Sequence, residues 1–191
     1  MQIFFWALSI LITLYTGYKY IPEVLQWKIK PHAFSWLPWM ILVGIAFIIQ
    51  IRNHENIWWF GALAASTLVC AIIFILSLKY GEKNITRGDI ASLTACLILI
   101  VFWLLIKDDL LALLLICLID ALAFFPTWRK AWIKPREESI GMYALSSLKS
   151  FFSLFWLWNP ILVNWLYPVF LIIINLGFAL YLVWRRKIIN K

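Results

Sequence analysis

The most constraining feature of this chain is a series of unbroken apolar runs, each about 20 residues long, separated by short polar segments. Apolar residues make up 64% of the 191 and charged residues only 14%, far from the quarter usual in soluble domains. A water-soluble fold, a disordered tail and a disulfide scaffold are excluded. We read seven transmembrane helices over Gln2–Tyr18, Phe34–Ile51, Ile57–Lys79, Asp89–Ile106, Leu110–Pro126, Ser139–Trp158 and Ile161–Trp184. Helices rather than barrel strands are expected because the runs do not alternate, and lipid cannot satisfy an open backbone. The first run has no basic leader and no small-residue cleavage motif, so it reads as a span and not as a cleavable signal.

Lys and Arg set the expected orientation. One side holds Lys19, Lys28, Lys30, Lys79, Lys83, Arg87, Arg129, Lys130, Lys134, Arg136, Arg185, Arg186, Lys187 and Lys191. The other holds only Arg52 and Lys107, and Lys149 falls inside a span. The positive-inside rule then puts the N-terminus out and the C-terminus in the cytosol. The net charge of +8 is a topology signal, with some attraction to anionic lipid, and not a nucleic-acid footprint. This predicts a multi-pass protein of the plasma (inner) membrane.

The Trp residues fall near predicted span ends or in loops. Trp6, Trp58, Trp59, Trp103, Trp156, Trp158 and Trp165 lie toward the outer face, and Trp27, Trp36, Trp39, Trp128, Trp132 and Trp184 toward the inner. They read as interfacial anchors. Cys70, Cys96 and Cys117 lie on different spans without metal-ligand spacing and read as small apolar packers. His32 and His54 fall on opposite sides of the membrane, so they cannot share a site. No metal or cofactor is expected. The Asn84-Ile85-Thr86 sequon is expected on the cytosolic side, where it is a chance match.

An internal repeat appears at a shift of 104 residues. PEVLQWKIKPHAFS (Pro22–Ser35) aligns with PTWRKAWIKPREES (Pro126–Ser139). Pro22 matches Pro126, Ile29 matches Ile133, Lys30 matches Lys134, Pro31 matches Pro135 and Ser35 matches Ser139. The shift carries the first three spans onto the last three and leaves the fourth as a linker. The chain thus divides into a first repeat (1–80), a linker helix (81–106) and a second repeat (107–191). Spans one and five are an even number of crossings apart, so the copies are parallel, with an axis along the membrane normal and a cavity expected on it. Pro22 and Pro126 each remove a backbone hydrogen bond near an inner helix end. They read equally as hinges for gating or as helix stops.

These residues carry a resemblance. Tyr20-Ile21-Pro22-Glu23 and Phe124-Phe125-Pro126-Thr127, each followed by a basic Trp-containing loop, then Lys-Pro, then Ser, resemble the repeated motif of the PQ-loop and SWEET superfamily. That family pairs an aromatic-x-Pro-Gln motif with a downstream Lys-Ser element. Here the motif Gln is replaced by Glu23 and Thr127. The resemblance implies a 3+1+3 helix architecture and alternating access around an axial site. SWEET-type sugar carriers place an Asn in spans three and seven; span seven here has Asn175, and its repeat partner is Ala71.

Two ionisable residues lie deep in spans: Asp120 and Lys149. Left unpaired in lipid they would cost roughly 5–7 kcal/mol together, comparable to a domain's net stability. Lys149 is about 15 Å of helix from either end, too far to snorkel. Ser146, Lys149, Ser150 and Ser153 share one helical face, which must look at protein or water. Span seven adds Asn164, Pro168 and Asn175, and span one offers Thr16 at the position matching Asp120. We therefore expect a substrate site of Asp120, Lys149, Asn175, Ser146, Ser153 and Thr16, with Asp120 and Lys149 forming an ion pair or binding a charged solute. Opening to one side would wet both charges and shift their proton balance, so a proton could couple to transport.

The expected function is a membrane transporter of a small polar solute. The alternative is a non-transporting receptor or assembly subunit on the same scaffold, as in KDEL-receptor-like relatives, since one fold hosts several functions. The lipid bilayer is the other expected partner, and a homo-oligomer is allowed. An enzyme is not expected: the chain lacks a Ser-His pairing, a metal cluster and paired carboxylates on one helix, and Asp108-Asp109 point different ways at an outer turn.

Overall fold

The computed structural model describes residues 2–52, 57–155 and 162–189. His54, Trp156, Trp158 and Lys191 lie outside them, and of Arg52, Trp58, Trp59 and Asn164 only the backbone is described. Over the described residues the chain is all-helical, with no strand. The helices are α1 (Gln2–Leu25), α2 (Ala33–Arg52), α3 (Ile57–Tyr80), α4 (Arg87–Leu105), α5 (Asp109–Ile133), α6 (Ile140–Leu154) and α7 (Leu162–Ile189). A 3-10 turn at Pro135–Glu137 leads into α6.

Among the described residues four segments are long and apolar enough to cross a membrane: Gly61–Tyr80, Arg87–Leu105, Asp109–Ile133 and Trp165–Ile189. Their outer faces are apolar and uncovered. Leu68 and Ile75 on α3, Val101 and Leu105 on α4, Leu114 on α5 and Ile173 and Leu180 on α7 are all exposed. Water would not tolerate such a surface, and lipid requires it. The chain is a helical membrane protein.

Three helices run past the ends expected from the sequence, α7 by reaching Ile189. α1 continues to Leu25 and α5 to Ile133, so Pro22 and Pro126 lie inside helices and do not stop them. The reason is visible at Pro126. Its ring denies a donor to the Leu122 carbonyl one turn back, and the Ser92 hydroxyl of α4 donates to that carbonyl at 2.6 Å. α1 ends a few residues after its proline. Lys28 N–H bonds the Glu23 carbonyl and Trp27 N–H the Val24 carbonyl, with Trp27 at φ 61°. That is a Schellman closure with a bulky residue in the left-handed position. α4 starts at a capping box in which Thr86 and Asp89 bond each other's backbone amides, so the Thr of the sequon has a structural use. Asp108 caps α5 by accepting from Leu111 N–H at 2.7 Å.

Helix packing follows a closed order. α1 touches α3, α3 touches α2, α2 touches α5, α5 touches α7, α7 touches α6, and α6 touches α1. α4 lies outside this ring, against α5 and α2. Three buried clusters hold the ring together: Tyr20, Val24, Trp36 and Ile73; Phe124, Tyr143, Phe178 and Leu182; and Leu42, Cys96, Ile119 and Ala123. Trp39 packs against all three. The anchor reading of Trp is corrected here: Trp36 is buried and Trp39 is enclosed by helices, whereas Trp27, Trp132, Trp165 and Trp184 are exposed as anchors should be. An indole is large and apolar enough to fill a helix junction as well as to float in headgroups.

Candidate functional site: an axial cavity with two separated charges

A cavity of about 160 Å³ sits inside the ring. Thr16 from α1, Asp120 from α5, Ser146 and Lys149 from α6 and Asn175 from α7 all line it. Five of the six residues expected at the site are thus brought together. Ser153 is not among the lining residues; it lies one turn beyond Lys149, and its hydroxyl donates back to the Ser150 carbonyl at 2.6 Å. Serine in a helix readily satisfies itself this way, so a stripe in sequence need not be a stripe of available donors. Thr16 and Asn175 also bond their own helices, at the Ile12 and Leu171 carbonyls.

Asp120 and Lys149 stand at nearly the same depth. Phe124 and Tyr143 face each other with ring centroids 5.9 Å apart. Asp120 lies four residues from Phe124 on α5 and Lys149 six from Tyr143 on α6, about 6 and 9 Å along helices that leave the same loop. Yet the two do not pair. Asp120, only 3% exposed, accepts a hydrogen bond from the Tyr167 hydroxyl at 2.7 Å, and Trp39 lines the same cavity. Among the described residues Lys149 reaches the Ser66 hydroxyl of α3, at 3.4 Å. Among the described residues no carboxylate lies within 4.0 Å of the Lys149 ammonium. The ion pair, one of the two arrangements expected, is not formed.

Several lining residues had gone unnoticed in the sequence. Tyr167 fixes the carboxylate and lies on the α7 face that carries Leu171 and Asn175, at i, i+4 and i+8. Trp39 and Tyr143 both line the cavity, and they are 104 residues apart, the repeat shift. That coincidence was the available signal; two different aromatics hid it from an identity count. Thr13, Ser66, Cys70 and Ser150 add to the polar and thiol lining. The hinge candidates Pro22 and Pro126 are not in the cavity; Pro126 is buried and Pro22 exposed.

A second polar assembly closes the basic end of the ring, below the cavity. Counting only Lys and Arg for topology had hidden it, because its partners are the acids in the same loops. Lys130 on α5 is ion-paired with Glu138, with both side chains 2% exposed or less, and its ammonium also donates to the carbonyls of Lys30 and Glu137. Glu138 further accepts from the Tyr143 hydroxyl at 3.1 Å. Burial pushes the Glu138 carboxyl up, and Lys130 and Tyr143 oppose that shift. Lys30 pairs with Glu137 at 2.6 Å, Lys134 with Glu82 at 2.9 Å and Arg129 with Asp89 at 2.8 Å. At Glu82 burial works upward, but Lys134 and the Asn84 amide outweigh it and hold the carboxyl below its usual range. The same bond raises Lys134. His32, 1% exposed, lies 3.6 Å from Asp89, yet burial dominates and lowers it to about 4.

The repeat motifs meet inside this assembly. Thr127, at the motif position after Pro126, donates to the repeat serine Ser35 at 2.9 Å, with both residues fully buried. The Pro31 carbonyl accepts from Glu82 N–H at 3.1 Å, and the Pro135 carbonyl accepts from Arg186 Nε at 3.0 Å. Both the acceptors and the donor residues are 104 apart in sequence. Among the described residues there is no cluster of three or more His, Cys, Asp or Glu suited to a metal.

Comparison with known proteins leaves the chain without a relative to lean on: no family model matches it, and neither the curated proteins nor the solved structures give a match.

Proposed function

We propose that the chain is a seven-span, multi-pass carrier of the plasma (inner) membrane, built as two parallel three-helix repeats around a linker helix in the PQ-loop and SWEET manner. The N-terminus is outside and the C-terminus in the cytosol, as the basic residues require. What supports the repeat reading is the packing order. Exchanging α1 with α5, α2 with α6 and α3 with α7 turns the contacts α1–α3, α2–α3 and α1–α6 into α5–α7, α6–α7 and α5–α2, all of which are present. The paired bonds to Pro31 and Pro135 obey the same exchange.

The substrate is a small polar solute, bound in the axial cavity and moved by alternating access. One observation carries this reading: two opposite charges face one cavity without meeting. A structural pair would close on itself, because a buried charge without a partner is costly. Charges kept apart leave their binding capacity for an occupant. Wetting of the cavity on opening gives Asp120 access to protons, and so a route to coupling. The paired charges of the basic end act as its closed gate, with Pro22 and Pro126 as flexible points above it.

Uptake into proteoliposomes, measured for sugars, amino acids and nucleosides with and without a pH gradient, tests the proposal. For the solute transported, Asp120→Asn and Lys149→Met each lower uptake by roughly tenfold to a hundredfold, the worth of one charge-assisted hydrogen bond. The proposal fails if both variants fold and transport like the parent. Solute binding without flux assigns the chain instead to the receptor or assembly-subunit reading.

A further inference from the structure

Among the described residues the lining of the axial cavity holds one carboxylate and one ammonium, Asp120 and Lys149, so its charges cancel. A cation or an anion entering alone would leave a net charge in a medium that screens poorly. An occupant that is neutral as a whole but carries one charge of each sign meets both residues without that cost.

The uncharged polar groups of the lining point the same way. Thr13 donates to the Ser9 carbonyl at 2.9 Å, Thr16 to the Ile12 carbonyl at 2.6 Å, Ser150 to the Ser146 carbonyl at 3.0 Å and Asn175 to the Leu171 carbonyl at 2.9 Å. Each spends a donor on its own helix. A sugar needs partners around all of its hydroxyls, and a wall that has spent its donors serves it poorly. Much of the remaining wall is apolar, with Leu42, Val43, Val69, Leu145 and Leu171 in it. The body of the occupant is therefore apolar.

The two charges have different surroundings. Asp120 lies one turn from Phe124, whose ring centroid is 4.8 Å from that of Trp39 and 5.9 Å from that of Tyr143, and all three rings line the cavity. A carboxylate beside aromatic faces attracts an ammonium twice over. Lys149 has the Ser66 hydroxyl at 3.4 Å, with Ser146 about one turn before it on the lining face. An ammonium beside hydroxyls suits a carboxylate. Size sets the last limit: a cavity of roughly 150 Å³ holds a benzene ring, and this one measures about 160 Å³. That excludes a nucleoside or a disaccharide.

We propose that the axial cavity binds a zwitterion with a small apolar body, an α-amino acid in the size range of alanine to leucine, with its ammonium at Asp120 and its carboxylate at Lys149. This assignment rests on the solute-site reading of the cavity and names the chemistry of the solute.

Radiolabelled L-alanine, L-valine and L-leucine test it, by equilibrium binding to the full chain in nanodiscs and by uptake into proteoliposomes. Displacement by the matching single-charge analogues follows: for L-valine, isovalerate lacks the ammonium and isobutylamine lacks the carboxylate. At least one of the amino acids binds, and each of its analogues displaces it roughly tenfold to a hundredfold less well than the unlabelled amino acid. Asp120→Asn turns the preference toward the carboxylate analogue and Lys149→Met toward the amine, a reversal that a purely structural role would not produce. The analogue series on the parent needs no variant, so it decides even if a variant does not fold. Absence of binding by all the amino acids overturns the proposal, as does an analogue that matches its parent amino acid. Uptake of a sugar or nucleoside without amino-acid binding overturns it and leaves the carrier reading standing. Amino-acid binding without uptake upholds it and removes the carrier reading.

Discussion

Lys130→Met is the sharpest perturbation the structure offers. Lys130 and Glu138 are 2% and 1% exposed, so removing the ammonium leaves a carboxylate in a site that water cannot reach. It also strips a donor from the carbonyls of Lys30 and Glu137. Losing one partner of a buried pair costs about 3–5 kcal/mol. For a chain of this length that lowers the melting midpoint by roughly 6–20 °C. Lys134→Met is the internal control. Its bond to Glu82 is as well formed, at 2.9 Å, but the lysine side chain is 40% exposed against 4% for Glu82, so water reaches the pair from the lysine side and the loss is smaller, about 1–3 kcal/mol. The double variant Lys130→Met/Glu138→Gln removes both charges and recovers more than half of the loss. Thermal unfolding of the purified protein in nanodiscs, followed by Trp fluorescence, measures all three. If Lys130→Met melts no lower than Lys134→Met, then burial does not govern the strength of these pairs and the account of the basic end is wrong.

Acid should weaken the fold through His32. Its folded value near 4 lies below the unfolded value near 6.5, so the unfolded chain takes up the proton first. Stability is then full above pH 6.5 and falls by about 3 kcal/mol as the pH drops to 4. Of the charged groups facing it, Asp89, Glu82, Arg129 and Lys130, the two carboxyls are held by partners of their own: Arg129 pairs with Asp89 and, against burial, Lys134 keeps Glu82 below its usual range. Unfolding midpoints across pH 4–7 are expected to slope more steeply in the parent than in His32→Gln; equal slopes would remove His32 from the explanation. Ser92→Ala leaves the Leu122 carbonyl beside Pro126 without a donor and costs about 1–3 kcal/mol. Pro126→Ala restores a backbone donor there, so the same serine change in that background costs less than half as much. Equal costs in the two backgrounds would show that Ser92 does not serve the proline.

Much of the architecture was legible because the bilayer simplifies the physics. Backbone groups must be satisfied within each segment, so apolar runs become helices, and their number and rough placement could be read directly. The buried polar residues were legible for the same reason: a charge in a span has to face inward. Thus Asp120, Lys149, Ser146, Asn175 and Thr16 were found, and they share one cavity. The helix ends were not legible at Pro22 and Pro126. Whether a proline stops a helix depends on who satisfies the carbonyl before it, and for Pro126 that is Ser92, about thirty residues away in sequence.

Composition and pattern thus determined the solvent, the element type and which residues could not face lipid. Only the tertiary structure decided how those residues pair. Tyr167 took the Asp120 carboxylate and left Lys149 with a serine, although simple attraction would have joined the two charges. Loop acids neutralised lysines that had counted only as topology markers. Hydrophobic burial is a sum over residues and survives in the sequence, whereas a hydrogen bond is a matter of a few tenths of an ångström and an angle, and it exists only once distant segments have been set side by side.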